Sequence, residues 1–268
     1  VRRRSGPPRR RQRASLPSRL ARTAIRAPLA LRLAVLGILV CVALAALNLA
    51  YQVARKPTEL FGLVFAPAPL TPSETWTRYG SAFRAHATPL VRPELLAALA
   101  HAESQGDALA RTPWQWRWTW NPFALYRPAS SAVGLYQMTD AAFEEGRRLC
   151  IHDHDVARAG PWYDLGACWF PMLYTRTVPA HAIEMTAARL HAHLVQTLGP
   201  ERAGRTGVRA REHLAAVIQL CGPARGAAFA RRGFRVTPGE RCGTHALAGY
   251  LARVDRFTLT FERLARAT

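Results

Sequence analysis

Residues 33–54 form an uninterrupted run of 22 uncharged residues, LAVLGILVCVALAALNLAYQVA, and few soluble folds hide such a segment. At a helical rise of ~1.5 Å per residue it covers a hydrocarbon core of about 30 Å, so it reads as one transmembrane helix. Eleven arginines and no acidic residue lie within residues 1–32, while only Arg55 and Lys56 follow the run directly. By the positive-inside rule the N-terminus is cytoplasmic and the remainder periplasmic, in a single pass through the inner membrane. A cleaved signal peptide competes, because ALAALNLA supplies small residues for processing. The long basic segment and the length of the apolar run favour a retained anchor. Cys41 is discounted as a lipidation site because bulky Val40 precedes it.

Charge sharpens this organisation. The whole chain carries 37 basic against 17 acidic residues, a net +20 that first suggests nucleic acid. Setting aside the eleven tail arginines leaves 26 bases against all 17 acids, or +9. Residues 1–32 are therefore read as a cytoplasmic tail that orients the anchor and touches anionic headgroups, and no nucleic-acid partner is expected. The proline-rich APAPLTP at 66–72 reads as a semi-rigid spacer, making 55–70 a linker and 71–268 the working domain. Thr71-Pro72-Ser73-Glu74 has the capping-box arrangement, and Trp76, Tyr79 and Phe83 follow at helical spacing.

Four cysteines remain in that domain, Cys150, Cys168, Cys221 and Cys242. In an oxidising compartment they form two disulfides, with three connectivities open. Cys150–Cys168 and Cys221–Cys242 are favoured because each pair brackets a short, turn-containing segment. No metal site is expected. His152-Asp153-His154-Asp155 reads as a solvated loop, and His191 and His193 lie two apart on a helix and face different ways.

Chemistry concentrates between residues 93 and 143. PELLAALAHAESQG, 93–106, starts with Pro and ends in Gly, as a short helix does. Leu96, Leu99 and Glu103 fall at i, i+3 and i+7, so a carboxyl continues the apolar stripe at the helix's C-terminal end. Desolvation and the helix end both favour its protonated form, which suits a general acid. No acidic residue occurs between Ala108 and Thr139, where Trp114, Trp116, Trp118 and Trp120 alternate with polar residues. An extended run would place four indoles on one face for stacking on sugar rings. Packing of a β-ribbon or contact with the nearby membrane interface are the other readings.

The segment SAVGLYQMT, 131–139, follows. Glu103-Ser104 together with this segment resembles the lysozyme-like domain of soluble lytic transglycosylases. Leu220-Cys221-Gly222-Pro223 is similar to that family's Ala-Tyr-Asn-Ala-Gly-Pro stretch, and residues 249–254, GYLARV, to its closing Tyr-Val helix. The resemblance implies a mainly α, lysozyme-like α+β domain with a small β/loop region behind one transmembrane helix. It implies a peptidoglycan lytic transglycosylase in which Glu103 protonates the glycosidic oxygen between N-acetylmuramic acid and N-acetylglucosamine. The resulting carboxylate then takes the proton of the muramic C6 hydroxyl, closing a 1,6-anhydro ring without water or cofactor. Gln137 would hydrogen-bond the acetamido group, Ser104 orient Glu103 or substrate, and Gly134 admit the sugar close to the backbone. Tyr136, Trp118 and Trp120 complete the expected glycan contacts.

Two departures stand out. The interval from Glu103 to Gln137 is long for the family, the excess being the Trp-rich segment. Gln219 aligns where the family has a tyrosine beside the catalytic glutamate, leaving Tyr174 and Tyr136 as candidate replacements. Asp140 and Glu184 are the conceivable second carboxylates of a hydrolytic muramidase, and a non-catalytic glycan- or partner-binding scaffold is the third reading. An anchored enzyme without wall-binding repeats suggests an envelope-spanning secretion or conjugation apparatus as partner. Outside the site, 179–198 reads as an amphipathic helix, 202–211 as a basic loop and 213–220 as a buried helix.

Overall fold

The computed structural model describes residues 28–267 except 61–65, 67, 162, 165, 169 and 170. Most of the basic tail and part of the linker thus lie outside the described residues. Helix α1, Leu29–Arg55, contains the whole apolar run and extends it by one turn at its start. Its 27 residues span about 40 Å. It is long and apolar enough to cross a membrane.

The rest is mainly helical around one hydrophobic core. Helix α2, Pro72–Ala85, begins with the full capping box: Thr71 Oγ1 accepts from Glu74 N, and the Glu74 carboxylate accepts from Thr71 N at 2.8 Å. Its Trp76, Tyr79 and Phe83 are buried. Helix α3, Pro93–Ser104, is the centre of the domain, with residues 95–101 all buried. Its run of small alanines lets neighbouring helices approach closely, which larger side chains would prevent. Strands β1, Trp114–Trp116, and β2, Tyr126–Pro128, form an antiparallel ribbon. Helix α4, Asp140–Gly146, leads into a second antiparallel ribbon of β3, Leu149–His152, and β4, Asp155–Arg158.

Helix α5, Pro179–Leu198, turns Ile183, Ala187, Leu190 and Leu194 into the core, as its periodicity predicts. The segment read as a basic loop is different. It holds the short helix α6, Pro200–Arg205, and the first turn of α7, Val208–Cys221, which begins five residues before the expected helix. Gly207 is the N-cap that separates them, so its breaker character marks a helix start and not an irregular segment. Helix α8, Pro223–Arg231, crosses α7 closely because Gly226 leaves room where a Cβ would collide with Ile218 Cγ1. A third ribbon, β5, Arg241–Cys242, with β6, His245–Ala246, precedes the closing helix α9, Leu247–Ala267.

Helix α9 lies against α2 and α3. Phe261 stands 5.9 Å from Trp76, and Phe257 meets His101 edge-on at 4.6 Å. Arg92, just before α3, joins Glu212 of α7 at 2.6 Å and Glu262 of α9 at 2.9 Å. The disulfides are Cys150–Cys168 and Cys221–Cys242. The four-tryptophan segment is not one strand. Pairing stops at Trp116, and the chain turns through Asn121, whose side chain caps a short 3-10 turn at Pro122–Ala124.

Candidate active site

A groove of about 1100 Å³ opens at the C-terminal end of α3. One wall is the segment from Asp107 to Trp114, the floor is the turn around Tyr136 and Gln137, and the opposite wall comprises Gln219–Cys221, Cys242, Gly243, His245, Tyr250 and Arg253. Glu103 lies at the meeting of these parts. Helix α3 ends just beyond it because Gln105 adopts a left-handed conformation (φ 53°), its N–H returning to the His101 carbonyl. Those terminal carbonyls leave Glu103 at the negative end of a helix.

The hydroxyl of Tyr250 donates to Oε1 of Glu103 at 2.6 Å. Burial is the dominant influence on the carboxyl and raises its pKa above the ordinary glutamate value. The Tyr250 bond and the positive potential of His245 and Arg253 pull it partly back. Tyr250 is itself buried, and desolvation followed by the Glu103 charge holds its phenol well above the usual range, so it remains a donor.

The floor is held by a tight hairpin. Val133 and Met138 exchange backbone hydrogen bonds at 3.2 and 3.0 Å, closing a loop over residues 134–137. Gly134 adopts φ 81°, and a Cβ there would run into the Arg176 carbonyl oxygen. Its missing side chain thus admits the protein's own backbone, and it does not line the groove. The single Ser104 hydroxyl proton is shared between the carbonyls of Leu135 (2.8 Å) and Ala100 (3.0 Å), pinning the hairpin to α3. Tyr136 is buried with its hydroxyl on the Leu96 carbonyl at 3.0 Å. Gln137 donates through Nε2 to the carbonyls of Ala110 and Gly134 at 3.0 and 3.1 Å. Among the described residues its carboxamide oxygen accepts no hydrogen bond.

Gln219 stands beside this floor. Its Nε2 donates to the Tyr136 carbonyl at 3.0 Å, and its Oε1 accepts from buried Arg189 at 2.6 Å. The position aligned with the family tyrosine therefore carries a bridge to an internal cation. Neither expected replacement meets Glu103. The Tyr136 hydroxyl is spent on Leu96, and Tyr174 lies outside the groove against His181. Burial and Glu184 raise the Tyr174 pKa. The sequence marks Tyr250 only as part of a closing helix; its place at the start of that helix, just past a disulfide-bound ribbon, is the signal that could locate it.

Carboxylates are scarce here. Among the described residues, Glu103 and Asp107 are the only carboxylates that line the groove. Both oxygens of Asp107 accept backbone N–H groups, from Leu109 at 2.9 Å and Ala68 at 3.3 Å. Asp140 pairs with Arg176 at 2.8 Å and Glu184 caps the N–H of Ile151 at 2.9 Å, both away from the groove. Arg111, Arg225 and Arg253 make the lining basic.

Among the other expected site residues, Ser104, Tyr136 and Gln137 join Glu103 in the lining, as do Cys221 and Cys242. Trp118 and Trp120 do not. They are fully exposed beyond the end of the β1–β2 ribbon, and Trp114 is the indole that reaches the groove. Cys150–Cys168 joins strand β3 to the segment that follows β4, and neither cysteine lines the groove. His152 and His154 contact backbone carbonyls, and no group of three or more metal-ligating side chains occurs among the described residues.

Comparison with known proteins returns no match, whether against family models, curated proteins or solved structures.

Proposed function

We propose that this chain is a membrane-anchored peptidoglycan lytic transglycosylase with a lysozyme-like domain. The observation that carries the reading is a desolvated carboxyl, Glu103, held by Tyr250 in a basic groove whose other carboxylate, Asp107, is occupied by backbone donors. A paired-carboxylate glycosidase needs a second free acid, whereas a substrate whose own acetamido group assists departure needs only one.

In this mechanism protonated Glu103 gives its proton to the oxygen leaving the muramic C1. The acetamido oxygen supports the developing positive charge, and Gln137 Oε1 accepts the acetamide N–H. The carboxylate so formed is stabilised by Tyr250, His245 and Arg253, the same groups that moderate its pKa. With Oε1 held by Tyr250, Oε2 makes both transfers and removes the C6 hydroxyl proton as that oxygen attacks C1. The bond to N-acetylglucosamine is exchanged for the 1,6-anhydro bond, and no water enters. Arginines along the groove suit a polymer bearing peptide carboxylates.

The anchor would place the domain in the periplasm of a single-pass inner-membrane protein, where the two disulfides persist. Local opening of the wall for an envelope-spanning secretion or conjugation apparatus fits a tethered enzyme of this size. The direct test uses the full chain in detergent on purified sacculi: Glu103→Gln should lower muropeptide release by roughly a hundredfold or more, and full retention of activity would reject the assignment.

A further inference from the structure

The β1–β2 ribbon is fastened along the last turns of α1. Its root is held by Glu59, which accepts from Trp114 Nε1 at 2.9 Å and pairs with Lys56 at 2.9 Å. Farther down the helix, Gln52 Nε2 donates to the Phe123 carbonyl at 2.5 Å and Asn48 Nδ2 to the Tyr126 carbonyl at 2.7 Å. The Tyr51 ring lies 5.0 Å from Phe123. Asn48 and Gln52 are the two carboxamides in the apolar run and the two buried residues of the helix. A lipid-facing carboxamide is costly, and these two lie four residues apart on one face covered by the ribbon.

This attachment fixes the ribbon's height. Asn48 lies seven residues before Arg55, about 10 Å deeper along the helix axis. The paired end of the ribbon, where Trp116 opposes Tyr126, is therefore level with the uncharged part of α1, below Arg55, and its one adjacent charge is the exposed Arg117, whose long side chain can reach the headgroups. In the segment that continues from this end Trp118 and Trp120 are fully exposed, and Trp116 is 76% exposed. Three such exposed indoles within five residues are unusual in water, whereas indoles concentrate where acyl chains meet headgroups.

We propose that the segment bearing Trp116, Trp118 and Trp120 inserts into the interfacial layer of the leaflet from which α1 emerges. It forms a second membrane contact that sets the height and tilt of the domain. The ribbon's root also lines the groove through Trp114, so lipid contact at one end fixes the orientation of the groove at the other. The proposal rests on α1 crossing a bilayer and is independent of the chemistry at Glu103.

The test reconstitutes the full chain into phosphatidylcholine–phosphatidylglycerol vesicles containing lipid brominated near either the headgroup end or the terminus of the acyl chain. Tryptophan emission should be quenched more strongly by the shallow bromine, and the Trp118→Phe/Trp120→Phe variant should lose most of that quenching. Each single substitution, read in the same vesicles, should lose part of it, which covers a failure of the double variant to fold. Equal quenching of wild type and folded variants overturns the proposal. So does an absence of bromolipid quenching, whether the indoles then respond to N-acetylglucosamine oligomers or are covered by a second copy of the chain. Sacculus digestion plays no part in this readout, so its outcome and that of the enzymatic reading are separable.

Discussion

The Tyr250 hydroxyl donates a 2.6 Å hydrogen bond to Glu103 Oε1, joining helices α9 and α3 across 147 residues of chain. The bond fixes one carboxyl oxygen and favours the ionised form, while burial favours the protonated one. Tyr250→Phe keeps the buried ring and removes the donor. Muropeptide release should fall by about tenfold to a hundredfold, the worth of one hydrogen bond to a charged group. Because the bond lowers the Glu103 pKa, its loss should also move the alkaline limb of the pH–rate profile to higher pH. A purely structural tyrosine would lower activity without moving that limb.

The same carboxyl makes stability depend on pH. Its folded pKa lies above the ordinary value of 4.5, so the folded chain retains a proton that the unfolded chain has already released. Wild-type stability therefore falls as pH rises through the interval between the two values. Glu103→Gln removes this loss. Its thermal midpoint should exceed the wild type's at neutral pH, and the difference should vanish below the unfolded value.

Much of this arrangement is legible locally. The capping box at Thr71–Glu74, the burial of Leu96 and Leu99 and the position of Glu103 follow from spacing within one helix. The cysteine pairs bracket short segments, and the structure joins them as expected. The partner of Glu103 was not legible, because Tyr250 reaches it only when α9 folds back on α3. The placement of the indoles was not legible for a related reason. Alternation suggested one strand with a single face, but strand pairing ends at Trp116 and the following segment leaves the groove. Asn48 and Gln52, four apart in an apolar helix, are the local sign that something packs there.

Gln219 should matter for folding before chemistry. Arg189 is buried, its Nε has no partner among the described residues, and Gln219 Oε1 takes its Nη2. Gln219→Leu leaves that cation without this acceptor and should cost about 2–3 kcal/mol in denaturant unfolding. Arg189→Met/Gln219→Leu should recover part of the loss, because both polar partners are then gone. An additive double variant would contradict the bridge.

The Cys221–Cys242 disulfide ties the end of α7 to the ribbon that supplies His245 to the groove. It closes a sequence separation of 21 residues, and its loss should destabilise the chain by about 3 kcal/mol. Cys221→Ser/Cys242→Ser should therefore lower the unfolding midpoint and, at a temperature where the chain stays folded, weaken glycan binding. Substituting Cys150 and Cys168 should affect stability alone, since that pair lies outside the groove.

The chemical outcome at the cleaved bond tests the central claim most directly. Purified sacculi digested by the full chain in detergent, with product ends identified by mass spectrometry, should yield 1,6-anhydromuramic ends and no solvent oxygen when the reaction is run in ¹⁸O-water. Reducing muramic ends carrying ¹⁸O would contradict the account and point to hydrolysis with a second acid. No release by the folded protein would equally contradict it and leave a glycan-binding scaffold.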